Sequence, residues 1–407
     1  MKRIVPISAF ILIISSFGCD RFLPEETDPD LLLDGPVEGL TFAQSATFAA
    51  GDEAFGENFT PETGLGPVFN MPSCAGCHNA DGKGHPATNL IRFGKEMADG
   101  TFDYMVDKGG PQLQDRSIPG YPAEVLPTDA TGVSPRSAPI VAGVGFLEAV
   151  PDSVLLNLAD PEDANADGIS GRVNYVDPPY FFMAKESHIP KDGKYIGRFG
   201  RKAKTINLLH QTAAAYLDDM GITTDFFTTD LHNPAAGEFS GDNVPDPEVG
   251  TATVSNVVFY LKTLKPPVPR NEDDPDIMNG KQLFSEIGCA NCHVSNLRTG
   301  TSDVDAISEK QFFPYTDILL HDMGDELADF YPEGDASGTE WRTTPLWGLG
   351  LIKDNLGGVA YYLHDGRTSD LNEVIQLHGG EGSQSRTEFN ALADEEKKEV
   401  IKFLESL

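Results

Sequence analysis

The sequence predicts a mainly α chain built as two halves on one plan, and three observations predict it. Cys74-Ala75-Gly76-Cys77-His78 recurs as Cys289-Ala290-Asn291-Cys292-His293. A similar segment precedes each copy, Gly51-Asp52-Glu53-Ala54-Phe55 and Gly280-Lys281-Gln282-Leu283-Phe284. Each half also closes on a helical pattern, residues 253–264 in the first and Asp394 to Leu407 in the second. The motif's spacing carries its chemistry. On a helix, positions i, i+3 and i+4 share a face. Two thiols can then form thioethers to a porphyrin while the histidine reaches the iron. A redox dithiol or half of a zinc site is the alternative, and the second complete copy weighs against it. The expectation is two covalently bound c-type haems, held by Cys74, Cys77, His78, Cys289, Cys292 and His293.

Taken in order, the chain opens on Lys2 and Arg3, then an apolar run from Ile4 to Phe17, then Gly18-Cys19. Residues 1–19 read as a lipoprotein signal peptide with Cys19 as the lipidated residue; simple cleavage without lipid is the alternative. Residues 20–40, rich in Asp, Glu and Pro, read as a flexible acidic tether. No later stretch is long and apolar enough to span a membrane. Residues 41–265 then read as an N-terminal cytochrome c-like haem domain, enlarged by a loop-rich insertion with a little β. Lys265-Pro266-Pro267-Val268-Pro269 marks a linker, and residues 271–407 form a C-terminal cytochrome c-like haem domain. Terminal helices would cross beside each haem.

The chain has 407 residues and a formal net charge of −33. That charge disfavours nucleic acid and suits a basic redox partner protein, although a solvated acidic surface explains it equally well. Four of the five cysteines sit in the haem motifs, so no pair remains for a disulfide. Haem attachment of this type is extracytoplasmic chemistry. The expected location is the periplasm or cell envelope, on a lipid anchor in a membrane.

Asp163-Ala164-Asn165-Ala166-Asp167-Gly168 opens like a calcium loop, with oxygens at alternate positions and a glycine for the turn. Asp163, Asn165 and Asp167 are its candidate ligands. Position twelve is Asn174 rather than a bidentate Glu, and a plain Asp/Asn/Gly turn is the alternative reading. Thr205 to Met220 reads as a helix closed by Gly221.

Several stretches together resemble a known family. They are Gly64-Leu65-Gly66-Pro67-Val68-Phe69-Asn70, Arg198-Phe199-Gly200-Arg201-Lys202-Ala203, Asp219-Met220-Gly221-Ile222-Thr223, His321-Asp322-Met323-Gly324, Thr344-Pro345-Leu346-Trp347-Gly348-Leu349-Gly350, and His364-Asp365-Gly366-Arg367 with His378-Gly379-Gly380-Glu381. In this order they resemble the di-haem oxidoreductases, a peroxidase-like and thiol oxidoreductase-like family within the bacterial di-haem cytochrome c peroxidase superfamily. The resemblance implies electrons passing from the C-terminal haem to an open N-terminal haem, where a small oxidant such as peroxide is reduced. It implies Gln211 and Asp219 as distal catalytic residues of the first haem, with Asp standing where the superfamily has Glu. It implies His378, after Leu371-Asn372-Glu373-Val374-Ile375-Gln376-Leu377, as the second iron ligand of the C-terminal haem, with Met323 as the alternative. A non-enzymatic di-haem electron carrier, with His85 as a further ligand, is the rival function.

Overall fold

The structure, a computed structural model, describes residues 33–237, 242 and 244–407. The export segment with Cys19, and the tether up to residue 32, lie outside the described residues. The first half carries α1 (Phe42–Gly56), α2 (Val144–Glu148), α3 (Asp152–Leu158), α4 (Leu208–Met220) and α5 (Thr251–Thr263). The second carries α6 (Pro275–Glu286), α7 (Ile352–Asn355), α8 (Leu371–Gln376), α9 (Ser383–Ala391) and α10 (Asp394–Ser406). Among the described residues, no helix is long and apolar enough to cross a membrane.

Side chains set the helix ends. At the start of α1, the Thr41 hydroxyl accepts from the Gln44 amide while Gln44 Oε1 accepts from the Thr41 amide, a capping box. Asn207 starts α4 by accepting from the His210 N–H, and Gly221 stops it in the left-handed region at φ 65°. The first turn of α10 holds Asp394, Glu395 and Glu396, where the helix dipole favours negative charge.

The two halves repeat one packing unit. α1 crosses α5, and α6 crosses α10. A Cβ on Gly51 would drive into the Asn256 carbonyl, and one on Gly280 into the Glu399 carbonyl. Only glycine lets these backbones approach so closely. One turn on, Phe55 lies 6.0 Å from the His78 ring and Phe284 lies 6.3 Å from the His293 ring. The glycine-to-phenylalanine repeat in the sequence is therefore a crossing point followed by a wall beside each motif histidine.

Outside these pairs the fold differs from expectation. Helix takes 34% of the described residues and strand 13%, in several small sheets. Leu90–Glu96 pairs antiparallel with Gly132–Arg136, Leu90 opposite Arg136, and also with Gln112–Leu113 and Phe102–Asp103. Leu320–Asp322 pairs with Glu340–Arg342, placing His321 opposite Trp341. The expectation of a mainly α chain of two cytochrome c-like domains is thus corrected to a mixed fold. The cause is local. Gly, Pro and Asp interrupt the helical period every few residues between α1 and α4, and again between α6 and α8. The backbone there meets its hydrogen-bonding demand through short ladders and turns. The main core joins Phe55, Tyr216, Val257 and Tyr260 to Ile318 and Trp347, so residues of both halves pack together. A second core gathers Ile277, Phe284, Phe389 and Phe403 around the α6–α10 crossing.

Gly280→Ala should cost about 1–3 kcal/mol, because an overpacked crossing has no free rotamer to yield. Urea denaturation of the variant beside Gly56→Ala, a glycine outside the left-handed region with nothing within 4 Å of its Cβ position, checks it. Equal midpoint shifts in the two variants would contradict the crossing argument.

Candidate functional site

Both Cys-x-x-Cys-His motifs line one cavity of about 620 Å³. Each motif is a single helical turn, Cys74–Gly76 and Cys289–Asn291, closed by His78 N–H to Cys74 O and His293 N–H to Cys289 O, both 3.0 Å. Ser73 caps the first turn through its hydroxyl. His78 donates from Nδ1 to the Pro139 carbonyl at 2.8 Å, and His293 donates from Nδ1 to the Tyr315 carbonyl at 2.9 Å. Each ring is thus fixed in the tautomer that leaves Nε2 as the acceptor nitrogen. Burial lowers both imidazoles to about 4. Burial pushes Cys74 up to about 12, with Asp219 and Cys77 adding to it, and raises Cys77 and Cys289 to about 12 as well. Reactive dithiols need the opposite environment, one that stabilises thiolate.

Next to the first motif, α4 presents Gln211, Ala215 and Asp219 at i, i+4 and i+8, and all three line the cavity. Eight residues of helix span about 12 Å, so Gln211 and Asp219 share a wall without converging on one point. Asp219 is the member beside the motif. Its backbone carbonyl accepts from Asn70 N–H at 2.8 Å and Met71 N–H at 3.1 Å. Its Oδ1 accepts from Gln112 Nε2 at 2.8 Å. Asp219 is partly exposed, but the exposed face is cavity wall, and burial raises its carboxyl to about 6. Gln211 Oε1 instead accepts from the Thr205 hydroxyl at 2.8 Å. The glutamine that touches Asp219 is therefore Gln112, which the sequence did not single out.

At the second motif, His378 lies in the same cavity as His293 and donates from Nδ1 to the Val374 carbonyl at 2.7 Å. The two imidazoles are close enough that His378 helps depress His293. Met323 shares this wall, and a Cβ on Gly382 would meet both His378 and Met323. His321 donates from Nδ1 to Glu381 at 2.6 Å and from Nε2 to Asp317 at 2.8 Å. Burial opposes its charge, yet the Asp317, Cys292 and Glu381 contacts prevail and push it up to about 12. A fixed imidazolium therefore stands beside Cys292, whose sulfur is 3.6 Å from Nδ1.

Cations collect on and behind the cavity wall. Arg136 lines it and pairs with Glu333 at 2.6 Å. Lys202, outside the lining, pairs with Asp329 at 2.8 Å while its ammonium sits 4.5 Å above the ring of Trp341, which does line it. Trp341 stacks on His364 at 3.8 Å. Lys83, Arg201 and Arg342 are buried too, but their hydrogen bonds go to carbonyls, those of Leu363, Ser137, and Gly200 with Thr343. Among the described residues none of these three has a carboxylate partner. A buried cation without an anion is costly, so this wall is built for an anionic group.

The family described as "Di-haem oxidoreductase, putative peroxidase" matches residues 124–407. The chain belongs to this family. The matched span contains the second motif and begins after the first. No curated protein matches the chain. Among solved structures, a hydrazine synthase from Kuenenia stuttgartiensis, studied under xenon pressure, is similar at 14% identity, with 100% of each chain covered and a TM-score of 0.39. A likeness that distant carries no argument about this chain.

Di-haem membership implies haem cofactors, and the residues present fit them. The cavity is mostly apolar, it meets two motifs with oriented histidines, and it offers unpaired cations to porphyrin carboxylates. His85 does not line it; its Nδ1 accepts from the Ala87 N–H and its ring packs on Tyr361. In the expected calcium loop, Asp163 accepts from the Gly168 N–H, Asn165 Oδ1 from the Asp167 N–H, and Asp167 from the Ile169 N–H. Asn174, its twelfth position, is buried elsewhere, donating to the Lys202 and Glu333 carbonyls. Trp347 is core, packed on Phe312 and reaching the cavity. Arg201 sat inside a motif noted in the sequence, yet nothing there distinguished it from Arg198, which simply pairs with Asp152.

Burial alone would raise Glu333, but Arg136, Lys204 and Arg92 outweigh it and hold it down at about 2. A depressed carboxyl contributes stability above its unfolded pKa, and that stability is lost as pH falls through its folded pKa. The wild type should therefore lose stability as pH falls from about 4.5 toward 2. Glu333→Gln should flatten that part of the profile and cost about 3–5 kcal/mol at neutral pH, leaving Arg136 to Asp329 alone. Thermal melts of both proteins against pH provide the check.

Proposed function

We propose that this chain is an extracytoplasmic di-haem c-type oxidoreductase that reduces peroxide or a related small oxidant. The observation that carries the reading is the shared cavity, with Asp219 beside the first motif and His378 facing His293 at the second. Cys74, Cys77, Cys289 and Cys292 would hold the porphyrins through thioethers, and His78 and His293 would ligate iron through Nε2. When bound, the haems supply the two electrons that peroxide consumes on cleavage to water, passing them from the C-terminal to the N-terminal haem.

The chain's own groups manage position and protons. His378 would hold the second iron opposite His293 and keep oxidant from it, which suits electron entry. Asp219, with Oδ1 engaged by Gln112, accepts the peroxide proton and returns it to the departing oxygen. A carboxyl at about 6 suits that exchange near neutral pH. Gln211 lines the approach two turns away and positions the oxidant. The charge of −33 suits a small basic electron carrier as donor. Residues 1–19 and Cys19 would direct export and lipid anchoring. A second reading, a non-catalytic electron carrier, draws on Met220, which is buried against the same cavity and could close the first iron.

Purified full-length holoprotein should show two covalent haems by pyridine haemochrome, with one haem that binds cyanide after one-electron reduction. Only six-coordinate low-spin haem, with no cyanide or peroxide binding in any redox state, would sink the enzyme reading and leave the carrier. His378→Ala should change the low-temperature EPR signal of the second haem; a spectrum identical to wild type moves that ligation to Met323. For Asp219, activity should rise with pH through about 6 in the wild type. Asp219→Asn should lose that limb and about 10²–10⁴-fold of the peroxide turnover. Retention of the limb in the variant would assign it to another group.

A further inference from the structure

Arg201 and Arg342 come from opposite halves and meet between the two motifs. The Arg342 N–H donates to the Arg201 carbonyl at 3.0 Å, and Arg342 Nε donates to the Gly200 carbonyl at 3.1 Å. Each residue is only 7% exposed. Arg201 spends both Nε and Nη2 on one oxygen, Ser137 O, at 3.2 and 2.6 Å. Arg342 Nη1 reaches the Thr343 carbonyl at 3.3 Å. A guanidinium has five N–H donors in a flat fork that matches a carboxylate. The other buried arginines here have such a partner, Arg198 in Asp152 and Arg136 in Glu333. Arg201 and Arg342 have none among the described residues, although both line the cavity.

The Arg342 charge also bears on Arg201. Burial lowers Arg201 to about 9, with Arg342 the next cause, and burial lowers Arg342 to about 10. Two neighbouring buried cations are stable only with anions between or beside them. Their surroundings say which anion each would meet. Ser137, which holds Arg201, lies two residues before Pro139, the carbonyl that orients His78, and Arg201 is among the charges acting on His78. Arg342 is acted on by Asp317, the carboxylate that grips His321 beside Cys292.

We propose that Arg201 and Arg342 form one two-arginine clamp for porphyrin propionate carboxylates, Arg201 serving the haem at His78 and Arg342 the haem at His293. This rests on the di-haem reading above. Because the two residues are joined by that backbone contact and Arg342 acts on Arg201, each positive charge would be felt at both haems. Positive charge favours the reduced, more negative iron, so the clamp raises both reduction potentials and links them.

The test is spectroelectrochemical titration of full-length holoprotein, with Arg201→Gln, Arg342→Gln and Arg201→Lys, after haemochrome has counted the haems. Each Gln variant should lower both midpoints, more at the haem its arginine serves. Arg201→Lys keeps the charge without the fork and should give a smaller fall at both haems, so the clamp stays testable if a Gln variant does not fold. Two haems with unmoved midpoints would overturn the clamp alone. A single moved midpoint per variant would replace the shared clamp by two separate contacts, which also overturns it. A wild-type protein without covalent haem would remove the di-haem reading and the clamp together.

Discussion

Two hydrogen bonds from imidazole Nδ1 to backbone carbonyls govern the site. Without them His78 and His293 would be ordinary half-buried rings on a cavity wall, free to choose a tautomer and a direction. With Pro139 O and Tyr315 O as acceptors, both rings keep Nε2 as the bare nitrogen, and nothing else in the cavity need compete for it. The acceptors come from segments distant in sequence, 61 and 22 residues on. The loops that supply them must be placed first, which is the task of the small sheets and the paired helices.

The helix pairs were largely legible. A helix closing at Gly221, and helices near 253–264 and 394–407, all form within a few residues of the sequence expectation. Their signals are local: caps, a stop glycine and a 3.6-residue apolar period. The motif repeat and its glycine-phenylalanine approach were legible for the same reason. The mainly α class was not, because two-residue strands such as Gln112–Leu113 or Arg116–Ser117 carry no period to read. Asp219 lines the cavity, and its hydrogen-bond partner Gln112 lies 107 residues away in sequence, beyond any local signal. Arg201 and Arg342 show the same limit. Their meeting depends on a backbone contact between halves, and a sequence records no such contact.

The buried charges sort into two kinds. Arg136, Arg198 and Lys202 have carboxylate partners of their own, and such pairs hold neighbouring segments in register. Among the described residues Lys83, Arg201 and Arg342 have carbonyls only, and so remain open to an anion. The distinction is useful because burial alone does not separate structural charge from binding charge. What separates them is whether the counter-charge is already built into the chain.

The thiols raise a question of order. In the folded chain Cys74, Cys77 and Cys289 are poor nucleophiles, since burial holds them protonated to about pH 12. The cavity they line is walled by both halves at once. On the proposed thioether attachment, such sulfurs would react more readily before the chain closes over them, so maturation would run from attachment to folding.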